Sequence, residues 1–114
     1  MKDDSAPKAS VITPFRLTSK EAEKRVHKIA QTSGRVLFDV RATKEMVERD
    51  TTDAQRLEVL RAGRADGNSV QTETGEWQCT MKKPLKGGRV LGVVVVLLQS
   101  QRLFVLRLEV AGHQ

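Results

Sequence analysis

Tyrosine is absent from this chain, and cysteine occurs once, as Cys79. One cysteine excludes an internal disulfide, and a cysteine-ligated zinc site would need more ligands than the chain offers. No metal or cofactor is therefore expected. Histidine is nearly as scarce, with His27 and His113 alone. Long apolar runs are missing too. The longest covers residues 90–98, whereas a membrane-spanning helix needs about 20 residues. The N-terminal MKDDSAPKAS has no apolar core of the kind a secretory signal carries. These absences predict a cytoplasmic protein with no membrane partner.

What is present is positive charge. Lys plus Arg number 20 against 14 acidic residues, a net charge of +6 over 114 residues. A small basic domain is attracted to polyanions, of which nucleic acid is the commonest in the cytosol. An acidic protein partner fits the same field, and so does a charge excess that only aids solubility. The length suits one domain. The polar stretch 1–13, next to Pro7 and Pro14, reads as a flexible tail. A single α+β domain is expected over 14–111, with a short tail at 112–114.

Helical signals dominate the first half. Thr18-Ser19-Lys20-Glu21 is a capping box, after which Ala22, Val26, Ile29 and Ala30 share a face as far as a stop at Gly34. The opposite face carries Lys20, Lys24 and His27, with Arg25 and Lys28 at its borders. Arg35 to Val40 reads as a short strand, and Thr43 to Arg49 as a second helix with Met46 inward. Thr52-Asp53-Ala54-Gln55 opens a third helix that buries Leu57 and Leu60 and stops at Gly63. Asp66-Gly67-Asn68 marks a turn.

Beyond it the period changes to two. Ser69 to Glu73 and a turn at Thr74-Gly75 lead into a strand with Trp77, Cys79 and Met81 on one face and Gln78, Thr80 and Lys82 on the other. Pro84 to Gly88 reads as a loop. Residues 90–98 are apolar on both faces, as a central strand is. A hairpin at Ser100-Gln101 follows. In the last strand Phe104, Leu106, Leu108 and Val110 are expected inward, with Leu103, Val105, Arg107 and Glu109 on the other face. Helices followed by an antiparallel meander define the α+β class.

The run LTSKEAEKRVHKIA, VLFDVRATKEMVERD, VLRAG, GEWQCTM, GGRVLGVVVVL and RLFVLRLE resembles a family of small bacterial domains grouped with the MqsR and RelE toxins. The resemblance spans residues 17–110. It rests most on Met46-x-x-Arg49, Leu60-x-x-Gly63 and Gly75-x-Trp77-x-Cys79. It implies a RelE/MqsR-like fold, with N-terminal helices on one face of a twisted antiparallel sheet of three to four strands. It further implies the toxin of a toxin–antitoxin pair, a metal-independent endoribonuclease acting on RNA, ribosome-bound messenger included. A cognate antitoxin would be its protein partner. Gln78, after Trp77, matches a glutamine implicated in the active site of the MqsR branch. Arg107 lies near the place of a functional lysine there. Two departures stand out: Arg41 occupies the place of a family histidine, and a tyrosine role has no residue to carry it.

Metal-free RNA cleavage needs a base for the 2′-hydroxyl proton, a cation for the phosphorane and an acid for the 5′-oxygen. Candidate catalytic residues are Gln78, Arg107, Glu109 and Arg41, with Glu76 as a second candidate base. Candidate RNA-binding residues are Lys82, Lys83, Arg89, Lys24 and Lys28. Arginine suits phosphate because its donors form a planar fork. For Arg107 and Glu109 a surface ion pair is the commoner outcome. For Lys82 and Lys83 it is edge protection, and for Arg41 a helix-end contact. Trp77 is expected in the core ahead of base stacking, Cys79 as a small buried residue, and His27 as a surface histidine. Two further readings stay open. One is a non-catalytic member of the fold that binds RNA or a partner protein. The other is a protein-binding module using the edge beside Leu103 and Val105.

Overall fold

The computed structural model describes residues 17–112. The expected N-terminal tail and His113 lie outside them. The first helix, α1 (Ser19–Ala30), starts where its cap places it, with Thr18 Oγ1 accepting the Glu21 amide at 3.1 Å. Glu21 turns toward Arg25 at 3.5 Å. The helix ends at Gln31 rather than at Gly34, which sits in a following 3-10 turn, Ser33–Arg35. The outer Nε of Arg61 caps that end instead, donating to the Ala30 carbonyl at 2.7 Å.

The short strand β1 (Val36–Phe38) forms as expected, and α2 (Val40–Glu48) then begins three residues earlier than the periodicity suggests. Its exit is a Schellman turn. Thr51 N donates to Met46 O, Asp50 N donates to Val47 O, and Asp50 takes the left-handed conformation at φ 53°. Helix α3 (Asp53–Ala62) has both bonds of its capping box, between Thr52 and Gln55. Gly63 ends it for a steric reason. A Cβ there would lie 2.5 Å from the Val59 carbonyl oxygen and 2.7 Å from that of Lys82, so only glycine lets helix and sheet approach this closely.

Six strands follow the chain rather than three to four. To β1 are added β2 (Arg64–Ala65), β3 (Val70–Gln71), β4 (Trp77–Pro84), β5 (Arg89–Leu97) and β6 (Leu103–Gly112). The sheet order is β1-β6-β5-β4-β2, with β3 also on β4. It is mixed, not antiparallel, because β1 runs parallel to β6, with Val36 opposite Leu103 and Phe38 opposite Val105. Parallel neighbours need a long connection, and everything from α2 to β5 supplies it. The core gathers on one face. Ala22, Val26 and Ile29 of α1, Ala42 of α2, and Val59 and Leu60 of α3 pack on Met81, Leu91, Val93, Val95 and Leu108. Leu57 and Met46 pack at its margin.

The last strand corrects an expectation. Leu103 and Val105 are fully buried in the core, while Phe104 and Leu106 are only half-buried. The cause is a β-bulge. Val95 pairs with Val105 and Val94 with Arg107, so Leu106 has no partner and the alternation reverses there. Leu108, Val110, Arg107 and Glu109 keep their expected sides. The same geometry removes the apolar edge beside Leu103 and Val105, which β1 covers.

Candidate functional site

Strand alternation leaves Gln78, Thr80 and Lys82 of β4 on the helix-free face of the sheet, opposite the face that holds Cys79 and Met81. Pairing then carries this face across the sheet. Thr80 stands beside Val94 and Val94 beside Arg107; Lys82 stands beside Gly92 and Gly92 beside Glu109. On the other flank Lys82 pairs with Arg64 of β2. Gly92 is the floor of this arrangement. A Cβ there would touch Lys82 Cγ and Glu109 Cβ, each at 3.5 Å, so the two side chains close over a buried glycine.

The charges around Gly92 alternate. Lys82 Nζ lies 2.8 Å from Asp66 Oδ2, and Arg107 Nη2 lies 3.6 Å from Glu109 Oε2. The Asp66 hydrogen bond and charge, with the Glu109 charge behind them, hold the Lys82 ammonium above its ordinary pKa of 10.5. Lys82 therefore keeps its proton and acts as a fixed positive charge. Both arginine and glutamate are roughly half exposed, at 43% and 46%. A depression of about 380 Å³ at the sheet edge is lined by Ala62, Gly63, Arg64, Lys82, Lys83, Pro84 and Val90, and so reaches both faces of β4. It gives a ligand an apolar wall beside a row of cations.

The bulge that sets Arg107 is held from the helix side. Glu45 of α2 accepts the Leu108 amide on Oε1 at 2.9 Å and faces Arg49 at 3.7 Å. Beyond β1 the edge of β6 has no strand partner, so this carboxylate satisfies an amide that would otherwise be unpaired. Glu45 thus positions the strand from which Arg107 and Glu109 project.

Of the expected site residues, Lys82, Arg107 and Glu109 lie near one another on this face, and Gln78 shares it four residues along β4 from Lys82, in the row of Val96 and Phe104. The rest disperse. Lys83 points to the opposite side and pairs with Glu58 of α3 at 3.6 Å. Arg41 is exposed in the first turn of α2. Arg89 borders a separate cavity of about 510 Å³, larger than the one at Lys82. Its guanidinium, however, is committed to the end of α2, donating to the carbonyls of Arg49 at 3.1 Å and Asp50 at 3.3 Å. Glu76 accepts from the Thr74 hydroxyl in the turn before β4. Lys24 and Lys28 lie on α1, on the helix side of the molecule.

Other residues have structural duties. His27 is half-buried, and its Nε2 donates to the Gly63 carbonyl at 2.7 Å, tying α1 to the end of α3. Cys79 is buried, and burial pushes its thiol up to about 11, so it is no nucleophile at neutral pH. Arg64 and Asp66 were not expected at the site. A strand of two residues has no period to read, and only its pairing with β4 reveals them. Arg56 was also unforeseen. It is buried on α3, 3.9 Å over the Phe38 ring, and paired with Asp53. Two of its nitrogens, Nε and Nη1, have no hydrogen-bond partner.

Among the described residues, no group of three or more His, Cys, Asp or Glu side chains is placed to hold a metal ion. No described helix is long and apolar enough to cross a membrane. No family model, no curated protein and no solved structure matches this chain.

Proposed function

We propose that the helix-free face of the sheet binds RNA and cleaves it without a metal, as the toxin of a toxin–antitoxin pair. The observation that carries this reading is the row Lys82–Gly92–Glu109, with Arg107 beside Glu109 and Arg64 beside Lys82. It sets a base and several cations on one face of the sheet. In this reading Glu109 takes the 2′-hydroxyl proton, and the 2′-oxygen bonds to the adjacent phosphorus. Arg107 and Lys82 balance the charge of the phosphorane, and the 5′-oxygen leaves with a proton from solvent. The products are a 2′,3′-cyclic phosphate and a 5′-hydroxyl. Gln78, further along the same face, orients the strand through its amide.

The test is inducible expression in bacteria of the wild type beside Arg107→Ala with Gln78→Ala, and beside Glu109→Gln. Growth and messenger RNA integrity are followed together. Arrest with cleaved RNA in the wild type, and at least a roughly 100-fold slower cleavage for Glu109→Gln, is the expected result. Normal growth with intact RNA in all strains sinks the catalytic reading.

A second reading, RNA binding without cleavage, has its own observation. Lys82 and Arg107 each already face a carboxylate, and Arg41, which stands in the place of a family histidine, sits apart on α2. This reading expects binding that weakens steeply with salt, since phosphate contacts release counterions. Affinity independent of salt would count against it.

A further inference from the structure

Two neighbouring depressions open on the helix side, where α1 meets the β5–β6 turn. One, of about 320 Å³, is lined by Lys24, Arg25 and Lys28 together with Glu21, Ile29 and Gln101. The other, of about 250 Å³, runs on past Trp77, Leu97, Leu98 and Gln99. Arg25, Ile29 and Gln101 border both, so the two form one continuous groove. Its acidic members are engaged: Glu21 faces Arg25, and Glu76 accepts from Thr74. Among the described residues Lys24 and Lys28 have no ion-pair partner, and both are exposed. Lys20 continues their row one turn earlier and is exposed as well.

We infer that this groove is a binding track for single-stranded RNA, separate from the helix-free face. The inference rests on the reading above that RNA is the ligand. Lys20, Lys24 and Lys28 recur every fourth residue, a rise of about 6 Å per step, which is the reach from one phosphate to the next along an extended strand. Past this row the groove is mixed: Leu97, Leu98 and the half-buried Trp77 lie among Arg25, Glu76, Gln99 and Gln101. An aromatic and aliphatic surface flanked by polar groups takes an unstacked base and its edge. A duplex keeps its bases inside and leaves such a surface empty. Gln99 and Gln101 at the turn supply amide groups for base edges. An extended acidic peptide also presents a carboxylate about every 6.6 Å, so the lysine spacing suits both ligands, and Trp77 beside the amides of Gln99 and Gln101 is what favours nucleotides.

Fluorescence anisotropy with a labelled 12-nucleotide oligouridine, the matching duplex and a poly-glutamate peptide tests the proposal. The proteins are the wild type, Lys24→Ala with Lys28→Ala, Arg107→Ala with Gln78→Ala, and a charge-matched control, Lys44→Ala with Lys86→Ala. All these positions are exposed or half-exposed, and circular dichroism checks that each variant is folded. The single strand should bind more tightly than the duplex or the peptide. The Lys24, Lys28 variant should weaken it about tenfold and lower the salt slope by about 1.4, beyond any change in the control. Equal loss in the control, or wild-type affinity in the Lys24, Lys28 variant, would overturn the track. Tighter binding of poly-glutamate would replace it with an acidic protein partner. Cleavage that depends on Arg107 while the Lys24, Lys28 variant binds normally leaves the proposed function standing without the track. Binding that depends on Lys24 and Lys28 with no cleavage at all does the reverse.

Discussion

The two faces of the sheet use the same strands for opposite ends. On the helix side Met81, Val93 and Leu108 are almost wholly inaccessible and meet side chains from all three helices. On the other side Lys82, Arg107 and Glu109 alternate in sign around a glycine. Adjacent residues of β4, Met81 and Lys82, belong to these two environments. The helix side is a packing problem, where a methyl group matters. The charged residues of the helix-free side form an electrostatic surface around buried Val94 and Val96, and those charged side chains can change with little effect on the fold. Substitutions should therefore separate stability from function according to face.

The largest effect is expected where packing leaves no room at all. Gly63→Ala places a methyl group against two backbone carbonyls, neither of which can rotate away. We expect a loss of about 3 kcal/mol or more, read from urea unfolding. A change under about 1 kcal/mol would mean that α3 can move off the sheet.

The tie between helix and bulge comes next. Glu45→Ala leaves the Leu108 amide without its acceptor and should cost about 2 kcal/mol. Glu45→Gln keeps an acceptor oxygen and should recover part of that loss. Amide hydrogen exchange at Leu108 is the discriminating signal. Unchanged protection in the alanine variant would show that the bulge holds itself.

Cys79 sharpens the comparison through pH. Its thiol is pushed up from 9.0 to about 11 by burial, so the folded state holds its proton after the unfolded chain has released it. Stability from this group is intact below pH 9 and falls as pH rises toward 11. Between pH 9 and pH 10 the wild type should lose about 1 kcal/mol relative to Cys79→Ala. Parallel curves for the two proteins would place the thiol in contact with water.

On the helix-free side the stability effects should be smallest. Asp66→Asn removes the partner of a lysine that is 39% exposed, and surface pairs contribute at most about 1 kcal/mol. Because Asp66 raises the Lys82 pKa, the contribution is complete below the ordinary lysine pKa and disappears as pH rises through the raised value. A Lys82 ammonium titration by NMR that fails to move down in Asp66→Asn would remove the pair from the account.

Local chemistry announced several of these features. Thr18 and Thr52 begin helices because their hydroxyls satisfy amides within three residues of themselves. Trp77 through Lys82 alternate because β4 has different environments on its two sides. Central β5 reads as apolar because Leu91, Val93 and Val95 pack on the helices, while Val94 and Val96 are buried between β4 and β6 on the other face. The strand faces of the candidate residues were legible to the same depth: Gln78 and Lys82 from their own strand, Arg107 and Glu109 from theirs. What lay beyond it was any feature made by two distant segments. The bulge at Leu106 adjoins an amide that Glu45 accepts, and an inserted residue in a strand reverses every assignment on one side of it. The parallel partner of β6 comes from residues near position 37, and a two-residue strand such as Arg64–Ala65 exists only because β4 offers it amides and carbonyls.

From its residues alone this chain was bound to be a small basic α+β domain, with capped helices first and a meander after. Those properties follow from capping, periodicity and charge, which act over a few residues and need no tertiary contact. Register, sheet order and the company each charge keeps follow from long-range pairing, which those local terms do not encode. Lys82 and Glu109 flank Gly92 because three strands, β4, β5 and β6, pair in one register, and the last of them is bound by a glutamate on a helix more than sixty residues away from the amide it accepts.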